Sequence, residues 1–68
     1  MDNIPQIDDP KLRFMDWEDR PMAVLNFSVF HVTSKGDLTP AHPDLTVTHL
    51  MHNASPISRQ EALWLANR

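Results

Sequence analysis

Residues 22–33 read MAVLNFSVFHVT, and the predicted fold is built on this segment. The stretch is rich in valine and phenylalanine and lies between Pro21 and the turn-forming residues 34–37, SKGD, so it predicts one β-strand over about 22–33. Successive side chains of a strand point to opposite faces. The better core face then carries Ala23, Leu25, Phe27 and Val29. The other, mixed face carries Val24, Asn26, Ser28, Phe30 and Val32.

A second alternating stretch, residues 44–52 (DLTVTHLMH), predicts the partner strand of an antiparallel hairpin. One of its faces carries Leu45, Val47, His49 and Met51. The connection contains Gly36, the only glycine of the chain, where we expect the tightest reversal of the backbone. Residues 38–43 include two prolines and therefore predict a surface loop or a very short edge strand.

The C-terminus predicts an α-helix over about 57–67. Residues 58–61 read SRQE, a capping box in which the Ser58 hydroxyl accepts a hydrogen bond from the Glu61 amide. Trp64 projects from roughly the opposite side of the helix to its apolar face. That face, which should lie on the sheet, carries Ala62, Leu63, Leu65 and Ala66.

The N-terminal third is acidic and less regular. Residues 1–9 predict a flexible arm, because they combine few apolar groups with carboxylates and a proline. Asp9 and Pro10 can open a short helix over residues 10–18, but an irregular segment that packs Phe14 and Trp17 on the rest of the chain is equally consistent with the pattern.

Together these elements predict an α+β fold in a single small domain, residues 1–68. The predicted order is an acidic, partly ordered arm, an antiparallel β-hairpin (about 22–33 and 44–52) and a C-terminal α-helix (about 57–67). One short helix covers only one side of a two-stranded sheet, so apolar surface and unpaired strand edges should remain.

Composition excludes several classes of function. The formal net charge of -3 disfavours nucleic acid as a partner, and no apolar run is long enough to span a membrane. The absence of cysteine and of a signal-like N-terminus predicts a cytoplasmic protein. With no GxSxG elbow and one glycine, the chain has neither a hydrolase nucleophile motif nor a phosphate-binding loop, so we expect no enzyme, cofactor or small-molecule substrate.

The histidines raise one alternative, a histidine-based metal-binding protein. Imidazole is a good ligand for zinc or copper, and His31 and His49 would face each other if the predicted hairpin formed. The spacing of His31, His42, His49 and His52 matches no strong metal motif, however. We therefore predict no metal ligand and keep metal binding as the alternative function.

The remaining interpretation is a small protein-interaction module. It would act as an accessory subunit or as an inhibitor or regulator of a larger protein, and a phage-type modifier is one form of such a regulator. A second copy of the chain is another candidate partner. Aromatic side chains are enriched in binding hot spots. The candidate partner-binding residues are Trp64, Phe30, Val32, Phe14 and Trp17.

Overall fold

The computed structural model describes residues 4–68, and these residues form an antiparallel sheet with two helices. This arrangement confirms the α+β class. The elements are, in chain order, β1 (Arg13–Trp17), β2 (Arg20–Leu25), β3 (Ser28–Val32), β4 (Leu38–Pro40), α1 (Val47–Asn53), β5 (Ser55–Ile57) and α2 (Arg59–Ala66). The five strands lie in the sheet in the order β4-β3-β2-β1-β5.

The predicted long strand over 22–33 is in fact two strands. The chain reverses at Asn26 and Phe27, so that β2 and β3 pair with each other and Leu25 lies opposite Ser28. Asn26 has a φ of 57°, a left-handed conformation that asparagine adopts more easily than most residues. Because the reversal lets β2 and β3 satisfy each other's backbone groups, it replaces the predicted pairing with residues 44–52.

The prediction of a strand over 44–52 is wrong, because this segment contains α1. The Thr46 hydroxyl caps the helix by accepting a hydrogen bond from the His49 amide (3.1 Å). Leu50 is fully buried against the sheet, and Val47 and Ala54 pack around the same cluster. These three residues are spaced by three and four, which is the periodicity of a helix.

Residues 10–18 contain the inner strand β1 and no helix. The Asp9 carboxylate accepts a hydrogen bond from the Lys11 amide (2.9 Å), and the Leu12 amide donates to the Asp9 carbonyl (3.1 Å). This turn directs the chain into β1, which pairs with β2 on one side and β5 on the other. The N-terminal segment therefore completes the sheet.

The predicted arm over residues 1–9 falls partly on residues 1–3, which lie outside the described residues. Within residues 4–9, Ile7 packs against the core, and the Asp9 amide donates to the Gln6 carbonyl (3.0 Å). The flexibility of this segment stays a prediction.

The C-terminal helix is confirmed as α2. The Ser58 hydroxyl accepts a hydrogen bond from the Glu61 amide (3.1 Å), as the capping box predicts. The Glu61 carboxylate lies 3.5 Å from the same hydroxyl. Gly36 lies in a turn with a φ of 83°, and the short edge strand β4 follows at residues 38–40, both in line with the sequence.

Each face of the sheet carries its own apolar core and its own helix. The α1-face core contains Met15, Met22, Val24, Val29 and Leu50. The α2-face core contains Leu12, Phe14, Ala23, Phe30, Val32, Leu38 and Ala62. Neither helix of residues 4–68 has the length and apolar character needed to cross a bilayer.

Candidate interaction surface

Three of the five predicted partner-binding residues lie inside the fold. Phe14, Phe30 and Val32 are 8%, 7% and 6% exposed and belong to the α2-face core. The prediction of uncovered apolar surface at Phe30 and Val32 rested on a two-stranded sheet and is corrected here, because the sheet has five strands and α2 packs across β1, β2 and β3. A contact between these side chains and a partner would require the core to open.

The two tryptophans are more accessible than these core residues. Trp17 is half-buried in the α1-face cluster, where its ring meets the His49 ring edge-on with centroids 6.1 Å apart. Trp64 is 64% exposed on α2, and the Arg68 guanidinium lies 5.6 Å from its ring centroid. Trp64 therefore remains a candidate contact residue, partly covered by a cation that a partner could displace.

The most exposed large apolar side chain of residues 4–68 is Phe27, which sequence reasoning assigned to the core face of a strand. Phe27 is 94% exposed because it forms, with Asn26, the two-residue loop between β2 and β3. The loop signal in the sequence was Asn26, a residue that tolerates the left-handed conformation. A phenylalanine at such an apex keeps its whole ring in water, which is unfavourable unless a partner covers it.

Phe27 borders a groove of about 670 Å³, here called the Phe27 groove. Ile4, which is 44% exposed, lines the same groove, so two exposed apolar side chains lie beside one depression. The remaining lining residues are Ser28, Val29, Phe30, Pro40, Ala41, His42, Pro43, Leu45, Thr46, Val47 and Thr48. In the described part of the chain, the groove has no lysine, arginine or carboxylate in its lining.

His42 is the titratable side chain of the Phe27 groove. Its Nδ1 accepts a hydrogen bond from the Asp44 amide (3.1 Å) and lies 3.6 Å from the Asp44 carboxylate. Both side chains are largely exposed. They add polar groups to a groove that also has apolar side chains, and protein contact surfaces commonly combine the two.

The edges of this sheet are less available for pairing with a further strand than the edges of the predicted hairpin would be. The edge strands β4 and β5 have three residues each, and each contains a proline, Pro40 and Pro56. Proline lacks the N–H donor that a further strand would need, and short edges limit pairing. The unpaired edges expected from the predicted hairpin are thus replaced by two short, proline-containing edges, which give little support for pairing of two copies edge to edge.

The histidines are distributed over separate elements. His31 lies on β3 opposite Met22 and Thr39, whereas His49 lies on α1 beside Trp17. The predicted cross-strand pairing of His31 with His49 is wrong, because His49 belongs to no strand. Nowhere in residues 4–68 do three His, Asp or Glu side chains come together as a metal site requires, so no observation favours the metal-binding alternative.

Comparison of the chain with models of protein families, with curated proteins and with solved structures finds no match.

Proposed function

We propose that the chain is a small protein-interaction module that acts as an accessory subunit or as an inhibitor or regulator of a larger protein. A phage-type modifier is one form of such a regulator. The observation that carries the proposal is Phe27, which stands 94% exposed at a hairpin apex beside a groove whose described lining has no lysine, arginine or carboxylate.

The position of Phe27 suits an anchor residue. Burying a phenylalanine side chain stabilises a complex by roughly 1.5–3 kcal/mol, and aromatic residues dominate binding hot spots. The loop that carries Phe27 has only two residues, and the strands on both sides of it pair with each other, so the loop is held at its two ends. A contact residue that is already positioned loses less conformational entropy on binding.

The size of the chain is sufficient for a specific interface. The solvent-accessible surface area of the chain is 4968 Å². A standard protein–protein interface covers about 800 Å² on each partner, which is roughly a sixth of that area. The Phe27 groove, at about 670 Å³, has room for a few partner side chains. Its uncharged lining favours another protein over nucleic acid.

The proposal is tested with two variants that each remove one exposed aromatic ring. Phe27→Ser should weaken capture of the partner from native lysate about 30-fold, the consequence of losing a hot spot of about 2 kcal/mol. Trp64→Ser removes the other exposed aromatic ring, which lies on α2 outside the Phe27 groove, and therefore measures separately whether that second candidate contributes to the contact. Quantitative mass spectrometry gives the ratio of partner captured by each variant to partner captured by wild type. Titration calorimetry with the purified partner gives the affinity.

Self-association is measured on the same samples by sedimentation equilibrium. A dimer that Phe27→Ser dissociates would identify a second copy of the chain as the partner. Equal capture by wild type and Phe27→Ser, or a strict monomer that captures no specific protein, would contradict the proposal.

A further inference from the structure

A second groove lies where β1 begins, beside α1 and β5, and we call it the Arg13 groove. It has a volume of about 660 Å³ and shares no lining residue with the Phe27 groove. Its lining consists of Asp9, Pro10, Leu12, Arg13, Phe14, Met15, Met51, Ala54, Pro56, Ile57 and Arg59. Most of these side chains are apolar.

The charged groups of the Arg13 groove are mainly basic. Arg13 and Arg59 line the groove itself, and Lys11 lines the adjoining depression, which Arg13 and Met51 also border. These are three of the six basic residues of a chain whose formal net charge is -3. A local positive potential in an otherwise acidic protein is a charge pattern that selects an anionic ligand.

Within residues 4–68 the two arginines of the groove form no ion pair with a carboxylate. The one short contact of a basic side chain with a carboxylate in these residues joins His42 to Asp44, away from the groove. Asp9, the one carboxylate among the described lining residues, already accepts a hydrogen bond from the Lys11 amide. Arg13 and Arg59 are exposed residues, and each guanidinium has five N–H donors that a ligand can use.

The apolar part of the groove is partly open to solvent. Met51 is 51% exposed, and Ile57 and Ala54 are half-buried beside it. Methionine is flexible and polarisable, so it adapts to different apolar ligand groups. The groove thus combines an apolar contact with cationic side chains in one lining.

We propose that the Arg13 groove binds an acidic peptide segment of a partner protein, in which at least one carboxylate lies next to an apolar side chain. Arginine recognises a carboxylate through two parallel hydrogen bonds, and Met51 with Ile57 receives the apolar side chain. A peptide fits better than nucleic acid, because a phosphate backbone needs a continuous basic surface and gains nothing from an apolar lining.

The experiment uses a displayed library of random peptides selected on the full chain. Enriched sequences should combine Asp or Glu with an apolar residue, and the corresponding synthetic peptides are then measured by fluorescence anisotropy. The Arg13→Gln/Arg59→Gln double variant should bind the peptides about tenfold or more weakly, since each substitution removes one charge-assisted arginine–carboxylate pair. Raising the salt concentration should weaken binding by wild type.

Matched variants separate this site from general electrostatics and from the Phe27 groove. Lys35→Gln/Arg68→Gln lowers the net charge equally but changes cations outside the groove, so it should leave the affinity within about twofold. Phe27→Ser should also leave the peptide affinity unchanged, so this experiment tests the Arg13 groove independently of the proposal for the Phe27 groove. Met51→Ser should weaken binding by removing the apolar contact. Circular dichroism verifies that each variant is folded.

Three results would overturn the inference. The first is a selection that enriches no acidic peptide, and the second is binding that Arg13→Gln/Arg59→Gln leaves unchanged. The third is a single-stranded oligonucleotide or heparin that binds through the same arginines more tightly than every selected peptide, which would assign the groove to a polyanion.

Discussion

Truncation of Leu50 is the sharpest test of the fold, because it distinguishes helix α1 from a strand over the same residues. Leu50 is 0% exposed and lies among Met15, Met22, Val24 and Val29 on one face of the sheet. It is also the one buried residue of α1. Leu50→Ala therefore removes the main contact between this helix and the sheet.

The expected loss of stability follows from this burial. A buried leucine truncated to alanine costs about 2–5 kcal/mol, and we expect about 3 kcal/mol here. The helix has seven residues, too few to persist in water without packing, so α1 should loosen as well. For a domain of this size 1 kcal/mol corresponds to about 4–8 °C in Tm, so the Tm should fall by roughly 12–24 °C.

The control is the neighbouring residue. Met51 is 51% exposed, so Met51→Ala should cost only about 0.5 kcal/mol. If residues 44–52 formed a strand, Met51 would share the core face with Leu45 and Val47 and its truncation would be the costly one. Urea unfolding followed by circular dichroism measures both variants. A larger loss for Met51→Ala than for Leu50→Ala would refute the assignment of α1.

Four further predictions concern the sheet, the cap and the N-terminus. Glu18 and Asp19 both have positive φ (52° and 63°) in the loop between β1 and β2, so replacing them with Asn and Gly should raise the free energy of unfolding by about 1 kcal/mol in urea titrations. Ser58→Ala should lower it by about 1 kcal/mol, and amide exchange should show faster opening of the first turn of α2. The Asp16 Oδ1 atom is buried without a hydrogen-bond partner within the described chain, so Asp16→Val should stabilise the protein by about 1 kcal/mol, and a lower Tm would show that this oxygen has a partner after all. Deleting residues 1–5 should change the Tm by less than about 3 °C, because the sequence of this segment has few apolar side chains and a proline, and a larger fall would show that the segment is docked.

Little of the candidate surface could be predicted from the sequence. Phe27 follows the alternation of residues 22–33, so a strict period of two placed it in the core. The reversal at Asn26 puts the same ring in solvent at 94% exposure. Phe30 and Val32 show the opposite error, since partners that are distant in sequence cover them. The Arg13 groove combines residues 9–15 with residues 51–59, a proximity that no local pattern reveals.

The hairpin loop at Glu18 and Asp19 was missed for a related reason. Two-residue loops with positive φ at both positions usually carry asparagine and glycine, so a Glu-Asp pair gives almost no signal. The loop forms because β1 and β2 pair along their length and bury Phe14, Met15, Met22 and Ala23 on the two faces. Packing on both faces offsets the strained loop.

The sequence pattern is enough to predict the α+β class, helix α2 and the turn at Gly36. The helix cap and the turn depend only on residues within four positions of one another: the Ser58 hydroxyl reaches Glu61, and a single glycine supplies the positive φ at residue 36. The tertiary structure alone decided that residues 22–33 split into two strands and that residues 47–53 form a helix. A short alternating segment and a seven-residue helix are both only marginally stable in isolation. Long-range contacts therefore decide the outcome: the burial of Leu50 stabilises the helix, and the pairing of β1 with β2 and β5 stabilises the sheet.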